Sequence, residues 1–257
     1  MGTALVTGAT AGLGLEIAWQ LATARHDLVL VARDGERLDR VAGQIRAAAG
    51  VHVEVIQADL ARHDDVTRVA ERLTVTGADP EDDRRPVGLL VNNAGFAPAQ
   101  RFVAGDLDIE LDAVDVMVRA VMVLSHAAVG QMVPRGRGAV LNVASVAALT
   151  AGGSYAAAKA YVRTFTEGLA VELKGTGVTA TVLCPGFTRT EFHDRAGLST
   201  EVLPDGAWLH AADVAAEALA DVRRGVVIST PSVRYKAAAA LLRAMPRWAV
   251  RAVGHYR

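Results

Sequence analysis

The sequence predicts an α/β fold, a doubly wound parallel sheet of about seven strands in three layers, α/β/α, read as a single domain over residues 1–257. Three observations predict it. Short β-branched runs alternate along the chain with longer stretches of helical periodicity. The runs are apolar along their whole length, as strands covered by helices on both faces are. A glycine-rich turn joins the first run to the first helical stretch, the usual way such a sheet begins. With 51% hydrophobic and 21% charged residues, the chain has enough apolar material for a full core, which excludes intrinsic disorder.

The first predicted strand, residues 4–7, leads into Thr7-Gly8-Ala9-Thr10-Ala11-Gly12-Leu13-Gly14. Glycines here let the backbone turn sharply, let a pyrophosphate approach the amides and let the helix pack close to the strand. The second strand, 28–31, ends at Ala32-Arg33-Asp34, and the third, 51–56, is followed by Asp59-Leu60. Residues 77–86 are polar, bracketed by Gly and Pro, and read as a solvated loop. The fourth strand, 89–91, runs into Asn92-Asn93-Ala94-Gly95 and then a long helix. The fifth, 140–143, places Ser145 just past the carboxyl end of the sheet, where such folds hold ligands. Tyr155 and Lys159 follow on a helix, four apart and so on one face. The sixth strand, 178–183, ends at Cys184-Pro185-Gly186. Residues 187–210 are long for a simple connection and mix aromatic with charged side chains, which makes them a candidate lid. A helix near 211–222 and a seventh strand at 226–228 complete the sheet, and 232–255 form a basic amphipathic helix interrupted at Pro246.

Composition narrows the function. Lys plus Arg number 27 against 28 Asp plus Glu, a net charge of -1, so nucleic acid is not an expected partner. The one cysteine, Cys184, forms no internal disulfide, and no Cys/His set has metal-ligand spacing, so no metal site is expected. No export signal is visible and no run approaches about 18 unbroken apolar residues, so the expectation is a cytoplasmic protein without membrane contact. Of the seven histidines, only His193, in the candidate lid, stands where it could reach a substrate.

The turn spacing Gly8, Gly12, Gly14, with Asn92-Asn93-Ala94-Gly95, Tyr155-Ala156-Ala157-Ala158-Lys159 and Pro185-Gly186 in that order, resembles the short-chain dehydrogenase/reductase (SDR) family. The resemblance spans nearly the whole chain and implies a Rossmann-like fold, a nicotinamide cofactor and a homo-oligomer, dimer or tetramer. It implies that Gly8, Thr10, Gly12, Leu13 and Gly14 cradle the diphosphate. Asp59 and Leu60 would meet the adenine, and Asn92, Ala94 and Gly95 the ribose side of the pocket. Phe187, Thr188 and Thr190, after Pro185 and Gly186, would hold the carboxamide and diphosphate. Ala32 stands where NAD-dependent members carry Asp, and Arg33 offers a guanidinium to a 2′-phosphate, which points to NADP(H).

The expected activity is interconversion of a ketone and a secondary alcohol by hydride transfer. Ser145 would polarise the carbonyl, Tyr155 would move the proton, and the Lys159 ammonium would favour the tyrosine phenolate and bind ribose. Phe192, Leu198, Leu203 and Trp208 in the lid suggest a mainly apolar substrate.

Two departures from the family pattern fall in this site. Ser145 and Tyr155 are closer in sequence than usual, so the 146–154 loop takes a shorter path, and Thr150 or Ser154 is an alternative source of the hydroxyl. The helix asparagine of the family is absent, and Met117 stands near its place. Non-redox chemistry by a cyclase, epimerase or dehydratase, or a catalytically silent partner subunit, are the alternatives these departures leave open.

Overall fold

A computed structural model of the chain describes residues 2–78, 83–192 and 204–253. Its strands are β1 (Thr3–Thr7), β2 (Asp27–Ala32), β3 (Val53–Gln57), β4 (Val87–Asn92), β5 (Gly138–Val143), β6 (Val178–Leu183), and the two-residue β7 (Thr188–Arg189), β8 (Leu209–His210) and β9 (Ile228–Ser229). Seven form one sheet in the order β3-β2-β1-β4-β5-β6-β9, parallel at every pairing. The chain winds outward from β1 in one direction and then, from β4, in the other. The crevice between the carboxyl ends of β1 and β4 is therefore the switch point at which such sheets bind ligands.

The helices are α1 (Gly12–Thr23), α2 (Gly35–Ala49) and α3 (His63–Leu73), then α4 (Leu107–Met132) and α5 (Gly153–Glu172), then α6 (Ala211–Arg224), α7 (Val233–Ala244) and α8 (Arg247–Val253). Successive strand residues point to opposite faces, and both faces are covered. Ala4, Val6, Leu28 and Leu30 pack against Ile17, Leu38, Ile45 and Val214 of α1, α2 and α6. Leu5, Val29, Val31 and Leu90 pack against Val66, Leu73, Leu124 and Ala158 of α3, α4 and α5. This two-sided burial is why the strands are apolar throughout rather than alternating.

Boundaries differ from the sequence reading where local bonds claim the backbone. Gly50 ends α2 in the left-handed conformation, φ 63°, and the strand begins at Val53 rather than residue 51. Gly225 ends α6 likewise, φ 68°, and the Val226 amide donates to the Asp221 carbonyl at 3.0 Å. The last strand is thereby delayed to Ile228–Ser229.

By length and composition alone α4 is apolar enough to cross a membrane, although Asp115 and Arg119 interrupt its apolar run. Its Leu124, Ala128 and Met132 are fully buried in the cluster on the sheet, so it is the central helix of that layer. The α4 helix also widens into a π-helical turn at Asp115–Arg119, a local insertion that often lies beside a functional site.

A buried polar string runs beneath the switch point. Asn92 Nδ2 donates to Asn142 Oδ1 at 2.8 Å and to Ser125 Oγ at 3.2 Å, and Asn142 Nδ2 donates to Thr166 Oγ1 at 2.9 Å. It ties β4, β5, α4 and α5 together.

Candidate active site

At the carboxyl ends of β1, β4, β5 and β6 lies a cavity of about 860 Å³. Its floor is the glycine turn. Gly8 adopts a left-handed φ of 66°, and its amide donates to the Val31 carbonyl at 2.8 Å, which locks the turn to β2. Thr7 Oγ1 accepts from the Asn93 and Ala94 amides at 3.0 Å each, and Asn93 Nδ2 donates to the Thr7 carbonyl at 3.0 Å. No side chain caps the N-terminus of α1 and no acidic residue occupies its first turn. Its amides, with the positive end of the helix dipole, are therefore left for an anion.

Gly14 lies below the cavity wall. A Cβ there would overlap Asn93 Nδ2 and the Gly8 carbonyl, and because one of these is backbone the clash cannot be relieved by a rotamer change. Gly14→Ala is expected to lower stability by about 3 kcal/mol and to weaken nucleotide binding with it, measured by thermal melting and titration. A variant that melts like the wild type would refute this account of the turn.

The opposite wall carries the three residues singled out for chemistry. Ser145 caps a short 3-10 turn, Val146–Leu149, its Oγ accepting from the Ala147 amide at 3.1 Å. The acceptor side of that hydroxyl is used and its proton remains available to a carbonyl oxygen. Tyr155 and Lys159 stand on the first turns of α5, with Lys159 Nζ 5.8 Å from the centre of the Tyr155 ring. Lys159 is buried, 5% exposed, and donates to the Val143 carbonyl at 2.8 Å. Burial pulls its pKa down from 10.5 to about 8. Neighbouring Cys184 is pushed up to about 11 by its own burial, so at neutral pH it is an uncharged thiol and gives the ammonium no counter-charge.

The 146–154 loop is held by the 3-10 turn, by a Val146 amide bonded to the Pro185 carbonyl at 3.0 Å, and by Gly153 at φ 74°. Ser154 Oγ donates to Glu110 Oε2 at 2.5 Å and Thr150 Oγ1 to the Ala147 carbonyl at 2.9 Å. Both alternative hydroxyls are engaged elsewhere. Met117 is 1% exposed. A Cβ on Gly95 would lie 3.2 Å from Met117 Cγ and 3.3 Å from Lys159 Nζ, so an apolar side chain and the ammonium flank the same glycine. The π-helical turn around Met117 forms without an asparagine.

After β6 the chain crosses the mouth of the cavity. Thr190 packs on Gly12, and the Phe192 ring lies 5.7 Å from that of Tyr155. The β7 and β8 segments pair with each other, so this connection has a small ladder of its own. Tyr235 of α7, which carried no signal in the sequence, holds the crossing in place: its hydroxyl accepts from the Phe187 amide at 3.1 Å and donates to the Ala207 carbonyl at 2.7 Å. Residues 193–203, which include His193, Leu198 and Leu203, lie outside the described residues.

The cavity is lined by Gly8, Thr10, Gly12, Leu13, Arg33, Asp59, Leu60, Ala94, Gly95, Ser145, Tyr155, Lys159, Pro185, Gly186, Phe187, Thr188 and Thr190. Two expected residues are not among its walls. Gly14 is packed beneath it, and the Asn92 side chain turns inward to Ser125 and Asn142. Asn93, the first residue past the end of β4, lines it instead. Asp59 also serves its own turn, one carboxylate oxygen accepting from the Ala61 amide at 3.1 Å. No cluster of metal-ligating side chains occurs among the described residues.

Residues 2–199 match the family described as short chain dehydrogenase. The sulfoacetaldehyde reductase 2 of Chromohalobacter salexigens is 36% identical over 194 residues, 73% of each chain. Among solved structures, a short-chain dehydrogenase from Sphingobium yanoikuyae in complex with NADPH superposes with a TM-score of 0.82 at 33% identity, covering 96% of this chain and 97% of that one. A bulky-bulky ketone specific alcohol dehydrogenase from Comamonas testosteroni gives 0.79 at 28% identity, with 96% of each chain covered.

Proposed function

The chain belongs to the short-chain dehydrogenase family, an oxidoreductase family that binds a nicotinamide cofactor and acts on CH–OH and C=O groups, and from that premise we propose that it is an NADP(H)-dependent reductase interconverting a mainly apolar ketone and its secondary alcohol. The observation that carries this reading is the meeting of Ser145, Tyr155 and Lys159 with the glycine turn around one cavity.

The residues present fit a dinucleotide. The uncapped α1 N-terminus, beginning at Gly12, offers its amides to a diphosphate, and Gly8, whose own amide is bonded to Val31, brings no side chain into the path. The exposed Arg33 guanidinium at the rim makes no hydrogen bond or ion pair among the described residues and suits a 2′-phosphate. The nicotinamide, when bound, supplies or takes up the hydride.

Ser145 donates its hydroxyl proton to the carbonyl oxygen and stabilises the charge that develops there. Tyr155 delivers the proton to that oxygen in reduction and removes it in oxidation. Lys159, as an ammonium, favours the phenolate of the spent tyrosine. Phe96, Ala97, Val116, Val146, Phe192 and Leu242 line the cavity, and their apolar surface supports a substrate of the same character.

Calorimetric titration tests the cofactor assignment. NADPH is expected to bind at least about tenfold more tightly than NADH, and Arg33→Ala to remove most of that difference. Equal affinities would overturn it. A ketone turned over with stoichiometric loss of NADPH absorbance would exclude the non-redox and silent-subunit readings.

A further inference from the structure

A second arginine stands at the rim of the same cavity, and it already holds an anion. Arg37, near the start of α2, forks onto Glu191: Nη1 donates to Oε2 at 3.1 Å and Nη2 to Oε1 at 2.5 Å. The two residues are 154 apart in sequence, and both line the cavity together with Arg33. The hydrogen bond to Glu191 raises the Arg37 pKa further, against a smaller loss from burial, so Arg37 is a fixed cation. A carboxylate gripped this way puts two anionic oxygens on a planar fork, as two oxygens of a phosphate monoester would.

We propose that Glu191 is a resident competitor for the cofactor's 2′-phosphate at Arg37: a nucleotide bearing that phosphate displaces the carboxylate, while one with a free 2′-hydroxyl leaves the pair intact. The proposal rests on the NADP(H) reading above. The side chains are 31% and 47% exposed, so the pair is solvated enough to exchange. A phosphate monoester carries close to two charges at neutral pH against one on the carboxylate, so it wins the guanidinium. Glu191 sets how strongly the phosphate is preferred, since every NADP(H) molecule that takes Arg37 must first break this pair.

The test is titration of NADPH and NADH, at low salt, into the wild type, Glu191→Gln, Arg37→Gln and the double variant. Glu191→Gln is expected to tighten NADPH about two- to fivefold and leave NADH unchanged. Arg37→Gln should weaken NADPH about tenfold, and on that background Glu191→Gln should change neither affinity. Thermal melting checks that each variant is folded, and Arg37→Lys, which keeps the charge and loses the fork, should fall between. If the wild type prefers NADPH but Glu191→Gln does not tighten it, or tightens it without Arg37, the competition is refuted while the cofactor reading stands. A wild type with no preference for NADPH defeats both.

Discussion

Tyr155→Phe is expected to reduce kcat for ketone reduction by about two to four orders of magnitude, the contribution of a positioned proton donor, with NADPH affinity and melting temperature near those of the wild type. The substitution removes one oxygen and keeps the ring that rests against Phe192. Neither neighbour replaces it. Ser145 can donate to the carbonyl oxygen but has no built group to restore its proton, its Oγ being bonded to the Ala147 amide. Lys159 Nζ is turned to the Val143 carbonyl. Steady-state loss of NADPH absorbance with a turned-over ketone measures the effect, and a variant with undiminished turnover would remove Tyr155 from the mechanism.

Lys159→Met should abolish turnover to a similar degree and yet make the protein more stable at neutral pH. The folded-state pKa of Lys159 lies at about 8 against 10.5, so between those values the unfolded chain binds the extra proton, and wild-type stability rises with pH across that window. Below about pH 8 the full cost of burying the charge is present, about 3 kcal/mol for a shift of this size. The Val143 carbonyl left without its donor offsets about 1 kcal/mol or more of the gain. Melting curves at pH 7 and pH 10 should therefore show the variant ahead at the first and the advantage shrinking at the second. The same titration should make wild-type reductase activity fall above about pH 8, as the ammonium is lost. A destabilised variant at pH 7 would mean that Lys159 is held there by more than the Val143 bond.

The fold was legible because most of its strands are covered on both sides and are apolar throughout, and because a glycine such as Gly8 stands where the turn needs a left-handed backbone. Ser145, Tyr155 and Lys159 were singled out by their resemblance to the family's motifs, since a tyrosine and a lysine one helical turn apart would by themselves read as a surface pair, and the fold gathers all three on one cavity. Pairs that meet across the fold leave no such trace: Arg37 with Glu191, and Tyr235 with Phe187, are made by packing and not by a local motif. Asn92 and Asn93 read alike in a line of text, but Asn92 is the last residue of β4 and bonds inward to Ser125 and Asn142, while Asn93 lies past the strand end against Thr7 and lines the cavity. Met117 reads simply as core packing, and it is buried as such. It lies within the π-helical turn Asp115–Arg119, which contains no asparagine.

The polar string from Asn92 through Asn142 to Thr166 indexes the rotation of α5. Apolar side chains would fill the same space at many angles, but a hydrogen bond between Asn142 and Thr166 is satisfied at one. Thr166 is seven residues beyond Lys159, on the same side of the helix, and a slip of one residue would turn the helix by about 100°. Such a slip would carry the tyrosine and lysine away from the crevice together. The string thus acts as a key in a shaft: its loss would blur the aim of Tyr155 and Lys159 before it loosened the core.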